Sequence, residues 1–486
     1  MEELARVLVA PRAPTADARD AAIAAAQVGD ALRGEAAAPA TVELLVGTVE
    51  GDLASQHTVE RELYREALDR SVMDREEFIA RVRDTEAAQR EELSAALADA
   101  GVVADLEAGR TGSDATARAA RTAFVRLFDA GLLERAERVV DMCPRCTTVV
   151  DVADSSRNET GAEVLSLELP DVGDGPSVDV DIVEIELLPG VVAVAVPEGH
   201  AAAGGTVMIP IAGREVPVVA DDTRDAPWLV VPAHDQGALE AARRLGLMPL
   251  SVLDDDGVVR ADGPLAGQAR YAARAAASDL VEAEGVVVGR RETVVDLARC
   301  GRCSTPLVPR FGAHWFLRTG DLEQAAADAV RNGDVTVDDP EARERFVGRA
   351  GAGGDWCLSH QVWAGQTVPA ARCLDCGQLS VSVEPETSCG KCMGELVSTD
   401  DVLDARFVAA VWPLAVADWP ADDRALVATA PQTVAVATAD AVTAWALPAA
   451  ALGLRLAGVV PFAELACVSP NSQPDLQAEP VIEFGQ

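Results

Sequence analysis

The hydrophobic period of this chain changes along its length, and each change predicts a different kind of structure. Near the start, Val7-Leu8-Val9-Ala10 is an unbroken apolar run between Arg6 and Pro11, which predicts a short buried strand. Residues 17–34 (DARDAAIAAAQVGDALRG) have helical spacing, with Asp17 at the head and Gly34 at the stop. A strand running into a helix opens a βα unit. Residues 57–131 are predicted to be mostly helical: one helix ends at Gly101, and another runs from Ser113 to Gly131 with Phe124, Leu127 and Phe128 on one face. From about 160 to 290 the period becomes that of strands. Val178, Val180 and Ile182 alternate with Asp179 and Asp181, Leu187-Leu188-Pro189-Gly190 turns into residues 191–196, and EVPVVADD and WLVVPAHD follow. A helix near 237–246 closes this β-rich block. A last Ala- and Val-rich α/β stretch (400–466) precedes a Pro- and Gln-rich tail that is expected to be loose, and no repeat of fixed period is present.

Length and composition narrow the picture. A chain of 486 residues predicts about three domains. Apolar residues make up 49% of it, enough for several cores, and Lys plus Arg number 41 against 79 Asp plus Glu, a net charge of −38. That balance excludes a basic protein that coats DNA or RNA and a polybasic membrane binder. Lys391 is the only lysine. An acidic, nearly lysine-free chain that remains apolar is not a disordered one; it predicts a globular, halophilic-type protein of a salt-loaded cytoplasm, where screening over about 3 Å at 1 M salt quiets self-repulsion. Met1-Glu2-Glu3-Leu4 carries acids where a signal peptide needs cations, and the apolar region 425–462 is interrupted by Pro431, Asp440, Pro448 and Arg455. A soluble cytoplasmic protein is expected.

Eight of the ten cysteines stand in C-x-x-C pairs, a spacing that favours metal over disulfides in a cytosolic chain. Cys373, Cys376, Cys389 and Cys392 form C-x2-C-x12-C-x2-C, with four thiolates for a closed structural Zn2+ site. Cys143-Pro-Arg-Cys146 and Cys300-Gly-Arg-Cys303 are half-sites on either side of the β-rich block. Their meeting in space would clasp the two ends of an inserted domain with a second zinc. Cys357 and Cys467 read as small buried side chains.

With these pieces in place the chain resembles a class I aminoacyl-tRNA synthetase, most closely a bacterial-type valyl-tRNA synthetase, over roughly residues 5–466. VVDMCPRCTTVVDVADS, AGREVPVVADD, VVPAHDQGALEAARRLGLMPL, CGRCSTPLVPRFGAHWFLRTGDL, DWCLSHQVWAGQTVPAARCLDCG and DDVLDARFVAAVWPLAVADWP carry the likeness in the family's order. The resemblance implies an α/β fold: a split Rossmann-like catalytic domain with an inserted β-barrel editing-like domain and zinc knuckles. The expected division is 1–142, the N-terminal half of the Rossmann-like domain with a helical insertion; 143–303, a zinc-clasped insertion holding the barrel at about 160–290; 304–399, a connective region with the knuckle at 373–392; 400–470, the second Rossmann half; and 471–486, the tail. The chain is expected to stop where the family's KMSKS loop and anticodon-binding domain begin.

The family activates an amino acid with ATP, which it grips with HIGH histidines and KMSKS lysines. Here the HIGH position reads Arg19-Asp20-Ala21-Ala22, and no histidine precedes His57. Asp17 and Asp20 in a first helical turn would cap the helix and repel an anion that the helix dipole would otherwise attract. The GTDHAG segment reads Gly47-Thr48-Val49-Glu50-Gly51-Asp52, and TWFSS reads Ala405-Arg406-Phe407-Val408-Ala409. Asp440 and Trp445 match the ATP-ribose segment, with Thr438 in place of its glycine. Asp235, in Pro232-Ala233-His234-Asp235, matches the editing carboxylate that holds an ammonium, but the threonine-rich editing strand reads VEIELLPG and the approach loop reads Arg224-Asp225-Ala226-Pro227. His57, His200, His314 and His360 read as structural or surface residues.

The leading expectation is a non-catalytic paralogue, a pseudoenzyme that binds tRNA or pairs with a genuine synthetase in a regulatory role. The alternative is a residual enzyme, either a tRNA ligase or a free-standing editing hydrolase, resting on Asp235, Asp401, Asp404 and Asp440. A third reading is an assembly module of zinc-held domains.

Overall fold

The apolar run at the start forms strand β1 (Leu4–Arg12), which continues into helix α1 (Ala16–Arg33) and strand β2 (Thr41–Thr48). The computed structural model of the chain describes residues 4–13, 16–33 and 41–468, so the expected helix stop at Gly34 and the tail at 471–486 lie outside the described residues, as does the side chain of Asp17. The chain divides into two compact units, one made of the residues up to Glu134 and from Trp315 onward, the other of Arg135–His314.

In the first unit, β1 and β2 are parallel, with Val7 opposite Leu44 and Val9 opposite Val46. Strand β3 (Thr336–Val337), strand β4 (Thr433–Ala437) and strand β5 (Glu464–Cys467) complete a sheet of order β3-β5-β4-β1-β2 whose strands all run parallel. The centres of its inner strands are apolar runs, residues 7–10, 44–46 and 434–437, because both faces are covered. Val7, Val9, Leu44 and Val46 pack on Ala18, Ala21, Ala22 and Ala25 of α1, whose small side chains admit close approach. Leu8, Ala10 and Leu45 face the larger core, which holds helix α4 (Asp114–Asp129), helix α5 (Gly320–Asn332), helix α6 (Ala405–Ala415) and helix α7 (Leu447–Ala457). The chain leaves β1 over one face of the sheet through α1 and leaves β4 over the other through α7. The C-terminal ends of the neighbours β1 and β4 are therefore the topological switch point, where open parallel sheets bind ligands.

The helical stretch resolves into helix α2 (Leu53–Arg65), helix α3 (Arg75–Asp99) and α4. Asp74 caps α3 and Ser113 caps α4 through their first-turn amides, and Gly101 and Gly131 take left-handed φ of 74° and 68° just past the ends.

The middle unit contains a long ribbon, Ser155–Leu169 antiparallel to Val287–Cys300, with Val178–Ile182 on its other edge. A second sheet has the order Trp228–Val230, Ala193–Val196, Arg214–Ala220, Thr206–Ile209. The expected helix near 237–246 spans Gln236–Arg244. A second helix, Arg270–Ala283, was not legible as one; its stripe of Ala273, Ala277 and Val281 is small and lies inside an alanine-rich run. The segment expected as an editing strand is instead a 3-10 turn at Ile185–Gly190, where Pro189 cannot donate to a ladder. No helix among the described residues is long and apolar enough to cross a membrane.

Candidate functional site

At the switch point three of the protein's own side chains meet. Arg12 ends β1 where the register with β2 slips, and its Nη2 donates to Asp440 Oδ1 at 2.8 Å and to the Thr438 hydroxyl. The Thr438 hydroxyl in turn donates to Asp440. Burial works against the charge on Asp440, yet the Thr438 hydroxyl and the Arg12 guanidinium together hold its carboxyl below the ordinary value. Both contacts fall on Oδ1, and the Asp440 side chain is otherwise largely exposed. Arg12 was not legible as a site residue, since nothing but its place at the end of an apolar run sets it apart.

At the start of α1, Arg19 turns back on its neighbour, with Nη2 3.0 Å from Asp20 Oδ1, so its charge is neutralised locally. Ala21 and Ala22 are buried against the sheet.

Beyond the end of β2, Glu50 is gripped by Arg90 at 2.5 Å and Arg110 at 2.8 Å. A Cβ on Gly112 would lie 2.0 Å from Glu50 Oε2, so this carboxylate needs a glycine beside it. These residues line a cavity of about 710 Å3 together with Trp363, Gly365 and Asp400. Glu86 forms part of the wall; burial, reinforced by the charges of Glu50 and Asp52, raises its pKa to about 7 despite hydrogen bonds from the Gly51 amide and the Ser55 hydroxyl. Arg406 pairs with Asp404 at 2.6 Å and lies over Trp356. Trp356 Nε1 also donates to Asp404 at 2.8 Å, and His360 lies 3.5 Å away. Burial disfavours the Asp404 charge, but Arg406 and His360 pull its pKa far down. Asp404 is thus an anchor that caps α6 through the Arg406 amide.

In the middle unit, Asp235 Oδ1 accepts from the Ala238 amide at 2.6 Å and caps the helix Gln236–Arg244. Arg224 reaches within 3.9 Å of Asp235 while stacking on Trp228. His234 does not engage Asp235. Its Nε2 accepts from the Val252 amide at 3.0 Å, which leaves Nδ1 to donate to the Pro309 carbonyl at 2.8 Å. Burial lowers its pKa to about 4, so the ring is neutral and structural. Glu184 and Glu186, in the VEIELLPG segment, are taken up by Arg270 and Arg274, with Arg270 Nε 2.9 Å from the fully buried Glu186. This network was not legible because its partners stand more than eighty residues apart.

The half-sites meet. Cys143, Cys146, Cys300 and Cys303 bring their sulfurs within 4.8 Å of one another, as do Cys373, Cys376, Cys389 and Cys392, so each set could hold a metal ion. All four C-x-x-C segments fold into one turn. The amides of Thr147, Ser304, Gly377 and Met393 donate to the carbonyls of Cys143, Cys300, Cys373 and Cys389 at 2.8, 2.9, 3.0 and 2.8 Å. Those four donors all have left-handed φ, of 52°, 57°, 68° and 61°. Only one of them is glycine; the turn overrides the side-chain preference of the others.

An open parallel sheet wound on both faces, a second compact unit and two cysteine tetrads together describe a split α/β fold. The family model for class I tRNA synthetases (I, L, M and V) matches residues 31–469, and the chain belongs to that family. Within it the chain is of the valyl type. It is 32% identical over 427 residues to a valine–tRNA ligase of Streptomyces coelicolor, covering 85% of this chain and 48% of that protein. It is 32% identical over 432 residues to one of Geobacter sulfurreducens, covering 86% and 49%. The chain thus spans about half the length of the curated relatives it matches. Among solved structures, the LeuRS of a ternary complex with tRNA and LeuAMS from Agrobacterium radiobacter K84 aligns with 96% of this chain and 64% of its own, at TM-score 0.46 and 13% identity.

Proposed function

We propose that this chain is a valyl-type class I synthetase homologue that does not activate amino acids with ATP and serves as a binding or regulatory protein in the cytoplasm, with tRNA or a genuine synthetase as its partner. One observation carries the reading: at the switch point, where an adenosine would dock, Asp440 is already paired with Arg12. Arg19 paired to Asp20, and alanines at the two following positions, leave no free cation or imidazole among the described residues at the head of α1 for a triphosphate. Preorganised charge at the transferring group supplies most of the rate enhancement in such catalysis.

Both tetrads are read as structural Zn2+ sites. A Zn–S bond of about 2.3 Å in a tetrahedron requires sulfurs about 3.8 Å apart. The nearest pairs here, Cys143–Cys303 at 3.5 Å, Cys146–Cys303 at 3.6 Å, Cys373–Cys392 at 3.4 Å and Cys376–Cys389 at 3.7 Å, suit that geometry. Bound zinc would cross-link four thiolates and supply folding energy rather than catalysis. The block at about 160–290 is read as an editing-like barrel whose hydrolytic groups are gone, Asp235 serving as a helix cap.

The deciding measurement is valine-dependent ATP–pyrophosphate exchange by the pure protein in multimolar salt. No exchange is expected, and exchange above a protein-free control overturns the reading. The competing ligase reading draws on the 710 Å3 cavity beside Glu50. The hydrolase version is settled by release of threonine from mischarged valine tRNA, with Asp235→Ala as control.

A further inference from the structure

The two tetrads are built from one turn but differ in cover. Cys143, Cys146 and Cys300 are 0% exposed and only Cys303 is partly open, whereas in the other set Cys373 and Cys389 are buried and Cys376 and Cys392 are exposed. The turn bonds and φ values match between the sets, so both fold their cysteine pairs in the same way. Access separates them. A thiolate reacts with an oxidant only where the oxidant can touch sulfur.

We propose that the Cys373/Cys376/Cys389/Cys392 tetrad is an oxidation-sensitive site that gives up its metal to peroxide while the Cys143/Cys146/Cys300/Cys303 tetrad keeps its own. This rests on the metal reading above. An exposed thiolate, Cys376 or Cys392, attacks the O–O bond of hydrogen peroxide, takes one oxygen as a sulfenic acid and releases hydroxide. The nearest sulfur across the site then displaces hydroxide from that sulfenic acid. Cys373 lies 3.4 Å from Cys392, and Cys389 lies 3.7 Å from Cys376, so the product is one of these two disulfides. Two thiolates lose two electrons, one peroxide becomes two hydroxides, and the metal leaves as its cation.

The event has a route to the cleft. Strand Ala370–Cys373 pairs with Leu396–Ser398, and the chain that follows places Ser398, Thr399, Asp400 and Val402 in the wall of the cavity beside Glu50. Arg75 of α3 donates to the Asp400 carbonyl at 3.1 Å across that wall. Loss of the metal would therefore loosen one side of the cavity, making the knuckle a redox input to the site.

The test uses the full chain reconstituted with zinc. Elemental analysis first establishes the stoichiometry, and fewer than two equivalents overturns the metal reading itself. Hydrogen peroxide is then added in multimolar salt, with release followed by a chromophoric chelator and thiols mapped by alkylation and peptide mass spectrometry. The expected result is one equivalent released at least about tenfold faster than the second, with disulfides confined to residues 373–392 and reversal by reductant plus zinc. With two equivalents bound, equal rates, the reverse order, or release that leaves all four of these cysteines alkylatable overturns the proposal.

Discussion

Arg12 and Asp440 meet at the ends of two adjacent parallel strands although 428 residues separate them in the chain. Asp440 keeps 78% of its side-chain surface exposed, so the pair is worth under about 1 kcal/mol and is better understood as an occupant than as a brace. Replacing Arg12 with alanine should leave the urea midpoint in salt nearly unchanged while freeing Asp440 for a ribose. Adenosine is expected to be silent in titrations of the parent and to bind the variant. A stable variant that still ignores adenosine would show that the crevice is closed by something else.

Glu86 should make the protein less stable as pH rises. In the fold it holds its proton up to about pH 7, against an ordinary value of 4.5, so between those values the unfolded chain is the more ionised and gains on the fold. Glu86→Gln keeps an acceptor for the Gly51 amide and removes the charge. Its advantage should be absent near pH 4.5 and grow to roughly 3 kcal/mol above pH 7, as read by thermal unfolding of both proteins across that range.

His234 works in the opposite sense. Its folded pKa of about 4 lies below the ordinary 6.5, so the unfolded chain binds the extra proton as pH falls between them. Stability contributed by the neutral ring is present above pH 6.5 and should decline by roughly 3 kcal/mol by pH 4. The difference between the parent and His234→Gln should flatten outside that window; a constant difference from pH 4 to 7 would exclude the assignment.

The buried tetrad joins residues at the beginning and the end of the middle unit. If metal closes it, Cys300→Ser should expose the amides of the ribbon Ser155–Leu169 to hydrogen exchange while those of β1 and β4 stay protected. Exchange that rises equally everywhere would mean a merely global loss of stability.

Salt should stabilise this protein. With a net charge of −38, self-repulsion is screened as the Debye length falls from about 10 Å at 0.1 M to about 3 Å at 1 M. The melting temperature followed by circular dichroism should rise steadily from 0.1 to 3 M potassium chloride; a flat response would discount a halophilic design.

The elements that could be read from sequence are those whose own periodicity was strong. Residues 7–10 of β1 are an unbroken apolar run, and Ser113 with the stops Gly101 and Gly131 marks the end of α3 and both ends of α4 by local chemistry alone. The tetrads were legible because C-x-x-C spacing reports a turn of fixed geometry. What escaped notice depends on contacts distant in sequence. Arg270–Ala283 buries only a thin stripe, the partners of Glu186 follow more than eighty residues later, and Arg12 acquires meaning only when β4 is laid beside β1. Pattern reveals what a segment wants by itself, and the crevice belongs to no single segment.

The left-handed turn after each cysteine pair has a kinetic corollary. Thr147, Ser304 and Met393 carry side chains that resist that backbone region, while Gly377 does not. If metal fills both sets, its removal should let three of the four loops recoil toward right-handed geometry, and only the Cys373–Cys376 loop would wait ready-shaped for its cargo. Recharging would begin there, making one dithiol the landing place from which the exposed cluster refills, while the enclosed cluster, lacking any such foothold, recovers last.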